Sequence, residues 1–168
     1  MRVFKKANTY DKKPSVVTIG TFDGVHIGHK AILKRLIATA KKENLESVLL
    51  TFYPHPRNIV QSAGNLKLIN TIEEKQKLLQ KAGLDSLVIH PFTKEFSRLS
   101  AEEYVEKILV NQLNAKKIII GYDHRFGKNR TADIEDLKAF GKEMGFEVEE
   151  ISAQEQNEVA VSSTKIRQ

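Results

Sequence analysis

Three observations predict an α/β fold here: a parallel five-stranded sheet with helices on both faces. Short apolar runs rich in Val and Ile alternate along the chain with segments of helical periodicity. Capping signals open several of the helical segments. The loops carrying glycine, proline and histidine come after strands, which is where sites form in open α/β sheets.

Residues 1 to 14 are polar and basic and read as a lead-in, with room for one short edge strand. The first core strand begins at Val16-Val17-Thr18-Ile19. Gly20 and Gly24 then interrupt the run as a tight turn. From Ile27 the pattern is helical, with Ile32, Leu33, Leu36, Ile37 and Ala40 on one stripe, fading at Lys41 to Asn44. His26 and His29 therefore fall where a strand turns into a helix, on one side of the first turn. Free N–H groups and the positive dipole end suit phosphate there. Neither Gly24 to Lys30 nor Gly121 to Lys128 is a true P-loop. A zinc site lacks an obvious third ligand, because His55, His90 and His124 have no paired spacing.

Ser47 to Phe52 is the second strand, and Pro54 and Pro56 confine the next residues to a loop. The long connection 57–70 shows little periodicity. A capping box at Thr71 to Glu74 opens a helix ending at Gly83, and Leu87 to His90 is the third strand. A second box at Ser100 to Glu103 opens a helix through Leu113. Lys117 to Gly121 is the fourth strand, succeeded by a polar, basic loop from Tyr122 to Thr131. A helix from Asp133 to Met144 stops at Gly145, and Phe146 to Ile151 is the fifth strand. The end, Ser162-Ser163-Thr164-Lys165-Ile166-Arg167, packs three hydroxyls and two cations into six residues. That combination makes either a phosphate grip or a frayed polar tail.

The 168 residues suit one domain spanning 1–168. The absence of cysteine excludes disulfides and thiolate chemistry. No apolar run approaches the roughly 18 residues of a membrane span, and nothing resembles a signal peptide, so a cytoplasmic location without membrane partners is expected. The net charge of +6 suits an anionic partner. No compact basic and aromatic stripe supports nucleic acid, so none is expected. Nothing in the chain specifies an oligomeric state.

Four stretches occur in the order found in one family: Ile19 to His29, Thr51 to Arg57, Gly121 to Lys128, and Val161 to Arg167. Together they resemble the FMN adenylyltransferase (FAD synthetase) module of bacterial bifunctional riboflavin kinase/FAD synthetases. The resemblance implies a Rossmann-like nucleotidyltransferase fold and the reaction FMN + ATP → FAD + pyrophosphate with Mg²⁺. It implies that His26 and His29 act on the ATP phosphates and that Ser163, Thr164 and Arg167 hold the departing pyrophosphate. Gly20, Phe22, Asp23, Gly24, Gly28 and Ser162 are the implied nucleotide-binding positions. Asp123 is assigned to the metal or the nucleotide. Phe126, Pro54 and Pro56 would form a flavin wall with Asn58 nearby. Core packing is the competing role for Phe126, and ending a strand is the competing role for the prolines. The family usually has phenylalanine at His124 and glycine at Ala132. Its C-terminal riboflavin kinase domain is absent from these residues. The rival reading is another HxGH-type nucleotidyltransferase with a different phosphate acceptor. With its phosphate grip so near Gln168, the tail is expected to be mobile without ligand.

Overall fold

The computed structural model describes residues 1–20, 27–53, 72–121, 124–127 and 131–151, with the backbone alone at positions 27–29, 53, 72, 73 and 75. Its strands are β1 (Arg2–Phe4), β2 (Ser15–Ile19), β3 (Glu46–Tyr53), β4 (Ser86–Pro91), β5 (Ala115–Gly121) and β6 (Glu147–Ile151). Its helices are α1 (Ile27–Glu43), α2 (Ile72–Ala82), a short α3 (Lys94–Ser97), α4 (Ala101–Tyr104) with a π-helical continuation (Val105–Gln112), and α5 (Ile134–Met144).

The strands form one sheet in the order β1-β4-β3-β2-β5-β6, and every pairing is parallel. Six strands rather than five is a correction. The added strand, β1, pairs Arg2–Phe4 with Ser86–Val88. Three residues are too few to show alternation, and long-range contacts hold them. The Arg2 backbone N–H donates to the Asp85 carbonyl at 2.9 Å. Its guanidinium donates to Asp11 Oδ2 and to Glu46 Oε2, each at 2.6 Å. The buried Tyr10 hydroxyl lies 2.7 Å from the same Glu46 oxygen.

Both faces of the sheet are buried, which is why the core strands read as continuous apolar runs. Neighbouring residues point to opposite sides. Val16, Leu49 and Ile119 join Ile32, Leu33, Leu36 and Ala40 of α1 and Leu79 of α2 in one cluster. Val17, Leu50 and Ile118 join the opposite cluster with Ile108 and Leu109 of the π-helical segment and Leu137 of α5.

The helix predicted through Leu113 is present, with Leu113 as its C-cap. Its last turns are wider than an α-helix: the Leu113 N–H bonds the Ile108 carbonyl at 3.0 Å, five residues back. The longer repeat keeps Tyr104, Val105, Ile108, Leu109 and Leu113 all buried. Ser100 and Glu103 form the expected capping box. A further box, Asp133 with Asp136, opens α5. The box predicted at Thr71 falls outside the described residues, although α2 starts at Ile72 as expected.

Candidate nucleotide and flavin site

The β2 strand lies between β3 and β5. From β2 the chain moves one way through β3 and β4, whereas β5 and β6 build on the other side. The strand order thus reverses between β2 and β5, a topological switch point. Ligands of open parallel sheets bind at the C-terminal ends of the strands there. Gly20 comes directly after β2 at that edge, its N–H bonded to the Leu50 carbonyl at 3.0 Å, and Gly121 ends β5. The segments holding three of the sequence motifs leave the sheet from the adjacent ends of β2, β3 and β5.

Gly28 and His29 have their backbone in the first turn of α1. That helix has no acidic residue in its first turn and two lysines in its last, so no carboxylate there offsets the positive end of its dipole. The other assigned positions fall outside the described residues: Phe22, Asp23, Gly24, His26, Pro54, Pro56, Asn58, Asp123, Ser162, Ser163, Thr164 and Arg167.

Beyond β5 the chain is held by local bonds. The His124 N–H donates to the Gly121 carbonyl at 3.2 Å, and Phe126 and Ala132 exchange both backbone hydrogen bonds. Phe126 is only 6% exposed and packs against Tyr104, whose phenol burial pushes up in pKa. In the described geometry Phe126 is a buried residue packed against Tyr104. The half-buried His124 ring stacks on Phe126, with centroids 6.0 Å apart and 19° between planes. Imidazole here occupies a flat stacking position that phenylalanine could also fill. Ala132 is 5% exposed, so its methyl is accommodated in the core. Asp133 caps α5 by accepting from the N–H groups of Glu135 and Asp136. The Asp136 N–H and the nearby Arg125, at 3.3 Å, hold its carboxyl below the usual range.

A feature that sequence reasoning missed stands at the ends of β3 and β4. Phe52, Phe92 and Phe96 form a half-buried aromatic group, with centroid separations of 5.3 to 5.7 Å. The His90 ring packs on Phe96 at 5.0 Å. The short α3 positions Phe96, because Thr93 caps it by accepting from the Phe96 N–H at 3.0 Å. The signal was present as aromatics after a strand with a capping threonine among them, but a four-residue helix leaves no periodicity to detect.

A family model described as FAD synthetase matches residues 8–165. A protein of Buchnera aphidicola subsp. Schizaphis graminum named bifunctional riboflavin kinase/FMN adenylyltransferase is 42% identical over 154 residues, covering 91% of this chain and 49% of the relative. The protein of the same name from Escherichia coli K12 is 33% identical over 153 residues, with the same coverage of 91% and 49%. The chain thus spans about half the length of the curated relatives it matches. A crystal structure described as a macrolide-efflux protein from Streptococcus pneumoniae aligns with a TM-score of 0.77 at 27% identity, covering 90% of this chain and 50% of that one.

Proposed function

The chain belongs to the FAD synthetase family, and from that premise we propose that it transfers the AMP moiety of ATP to FMN, giving FAD and pyrophosphate. The observation that carries the proposal is the meeting of the β2, β3 and β5 ends at the switch point, each continuing into one of the family's motifs.

The acceptor is a phosphate monoester with a second pKa of about 6, so it is largely dianionic at neutral pH and needs no general base. An oxygen of the FMN phosphate attacks the ATP α-phosphorus, and the bond to the bridging oxygen of pyrophosphate breaks. The protein must align two anions and stabilise charge gathering on the leaving group. In this reading His26, His29 and the N–H groups opening α1 serve the ATP phosphates. Ser163, Thr164 and Arg167 receive the pyrophosphate. The Phe52, Phe92 and Phe96 group offers apolar ring faces beside the same edge, suited to a flavin.

Among the described residues no three acidic or imidazole side chains gather as a metal cage. A Mg²⁺ ion held mainly by nucleotide phosphates, with one carboxylate such as Asp123, fits that donor set and would neutralise phosphate charge. A different phosphate acceptor is the second reading, favoured by His124 and Ala132 at positions where the family usually has other residues.

Incubation with FMN, ATP and Mg²⁺, with chromatography of the products, is expected to yield FAD. His29→Ala is expected to lower turnover by on the order of 10²–10³ with little change in flavin binding. No FAD from the unmodified chain sinks the proposal, and turnover with another phosphate acceptor alone selects the second reading.

A further inference from the structure

The cations of α1 are distributed against the helix's own stability. Between Ile27 and Lys42 the helix holds Lys30, Lys34, Arg35, Lys41 and Lys42 and no carboxylate. All of these cations are exposed. Arg35 pairs with Glu149 at 2.7 Å, whereas Lys30, Lys34, Lys41 and Lys42 pair with no described residue. Lys41 and Lys42 stand in the last turn, where a cation suits the negative end of the dipole. Lys30 stands at the opposite, positive end. Lys34 follows it by four residues, so the two like charges are neighbours on the helix surface. Both placements are unfavourable. Helices α4 and α5 show the favourable arrangement, with Glu102 and Glu103 in the first turn of one and Glu135 and Asp136 in that of the other.

The helix geometry gives these charges a direction. Ile32, Leu33, Leu36 and Ala40 face the sheet. At about 100° per residue, Lys30, Lys34 and Lys41 fall within about 40° of one another on the solvent side. Lys34 lies about 6 Å and Lys41 about 17 Å along the axis from Lys30. The row runs toward the helix start, the end of α1 that the chain enters from β2.

We propose that the solvent face of α1 is an electrostatic approach surface for ATP, on which Lys30 and Lys34 draw the polyphosphate toward the helix start. The inference rests on the reading that the ATP phosphates bind there. A row of like charges leading into a site raises the encounter rate of an oppositely charged ligand and adds nothing to the chemical step. The charge at Lys30 and Lys34 is kept at the expense of helix stability because it acts on the ligand before binding. The screening length decides which lysines act: about 8 Å at 0.15 M salt, so Lys34 contributes and Lys41 does not, and about 30 Å at 0.01 M, where both do.

The test is the association rate of ribose-labelled fluorescent ATP with Mg²⁺, followed by stopped flow. Lys34→Gln removes one charge and Lys34→Glu reverses it. At low salt they are expected to slow association by roughly threefold and roughly tenfold, with both effects fading above about 0.5 M salt. Lys41→Glu is expected to slow association at 0.01 M and not at 0.15 M. The turnover number at saturating ATP should stay within about twofold in all three variants. Labelled adenosine, which carries no phosphate, should associate equally with every variant. Lys34→Glu should melt no lower than the unmodified chain, because it sets opposite charges at positions 30 and 34.

Several outcomes overturn the proposal. An effect of Lys34→Glu undiminished at high salt makes Lys34 a direct contact. Equal slowing of adenosine makes the effect structural. Tight binding of a single-stranded oligonucleotide that Lys34→Glu abolishes reassigns the face to nucleic acid. FAD formation with association rates indifferent to these charges removes the steering and leaves adenylyl transfer standing. The full charge and salt pattern without FAD counts against FMN as acceptor and leaves the steering standing. No association of ATP at all removes both.

Discussion

Gly127 shows how one residue fixes the loop after β5 against the helix before it. Its φ is +79°, and a Cβ there would lie 2.9 Å from the Ala101 Cβ and 3.0 Å from the Ala101 Cα. Gly145 has a similar φ of +87° at the end of α5, but nothing lies within 4 Å of its Cβ position. Both glycines meet the left-handed backbone requirement, and only Gly127 also meets a steric one. Gly145→Ala is expected to cost about 1 kcal/mol, and Gly127→Ala clearly more, because backbone must move at the start of α4. Thermal melts of the two variants check the ordering, and equal losses would show that Ala101 yields easily.

His90 supplies a pH-dependent contact at the same scale. Its Nδ1 accepts the Ala7 backbone N–H at 3.1 Å, tying the turn after β1 to β4. Burial, aided by the charge of Lys6, holds its pKa below the ordinary 6.5. The folded state thus binds fewer protons there than the unfolded chain. The contribution is complete above the unfolded value of 6.5 and is lost as pH falls toward the lower folded value. Protonation would also set two N–H groups against each other. In His90→Asn the amide oxygen can accept from Ala7 without titrating. The melting temperature of the unmodified chain is expected to fall more between pH 7 and pH 5 than that of this variant. Parallel curves would place the acid sensitivity on other groups.

Among the elements, the helix starts are the most local features and the easiest to read. Ser100 accepts from the Glu103 N–H at 3.1 Å, and the Glu103 carboxylate accepts in return from the Ser100 N–H at 3.3 Å. Their spacing was enough to identify the box. Ser100→Ala is expected to cost about 1 kcal/mol, and Ser100→Asp far less, since aspartate also caps. Denaturant melts would show it; equal losses would mean that the turn is held by Tyr104 and Val105 packing instead. The Asp133 box went unread because its third position carries aspartate rather than glutamate. The β1 strand was legible only as room for a short edge strand within residues 1 to 14, because Arg2–Phe4 is specified by Ser86–Val88, Asp11 and Glu46, none of them its neighbours in sequence.

For the molecule as a whole, the sheet order brings distant segments to one edge. Ile151 ends β6 beside Gly121 of β5, so the residues beyond 151 leave the sheet next to the strand beside β2. A phosphate grip at Ser163, Thr164 and Arg167 is compatible with that departure point. Arg167→Ala is expected to weaken ATP binding in the presence of Mg²⁺ and leave FMN binding unchanged, as measured by titration. Unchanged ATP affinity would remove this segment from the site.

What the sequence determined by itself was everything local in origin. The strand and helix alternation comes from side-chain period, and the place of His29 in the first turn of α1 from the helical pattern that begins at Ile27. The four motifs, read in order, were enough to suggest the family that the residue 8–165 match established. Only the tertiary structure decided which strands are neighbours. Any of several parallel orders would bury the same apolar runs, so periodicity cannot choose among them. It also decided that Phe126 packs inward against Tyr104 and that Phe52, Phe92 and Phe96 meet. Among the described residues, it left the Thr18 hydroxyl without a partner under α1. Each of these depends on what lies across a strand or a layer. A chain's own neighbours carry no record of that, because burial and pairing are satisfied by groups far away in sequence.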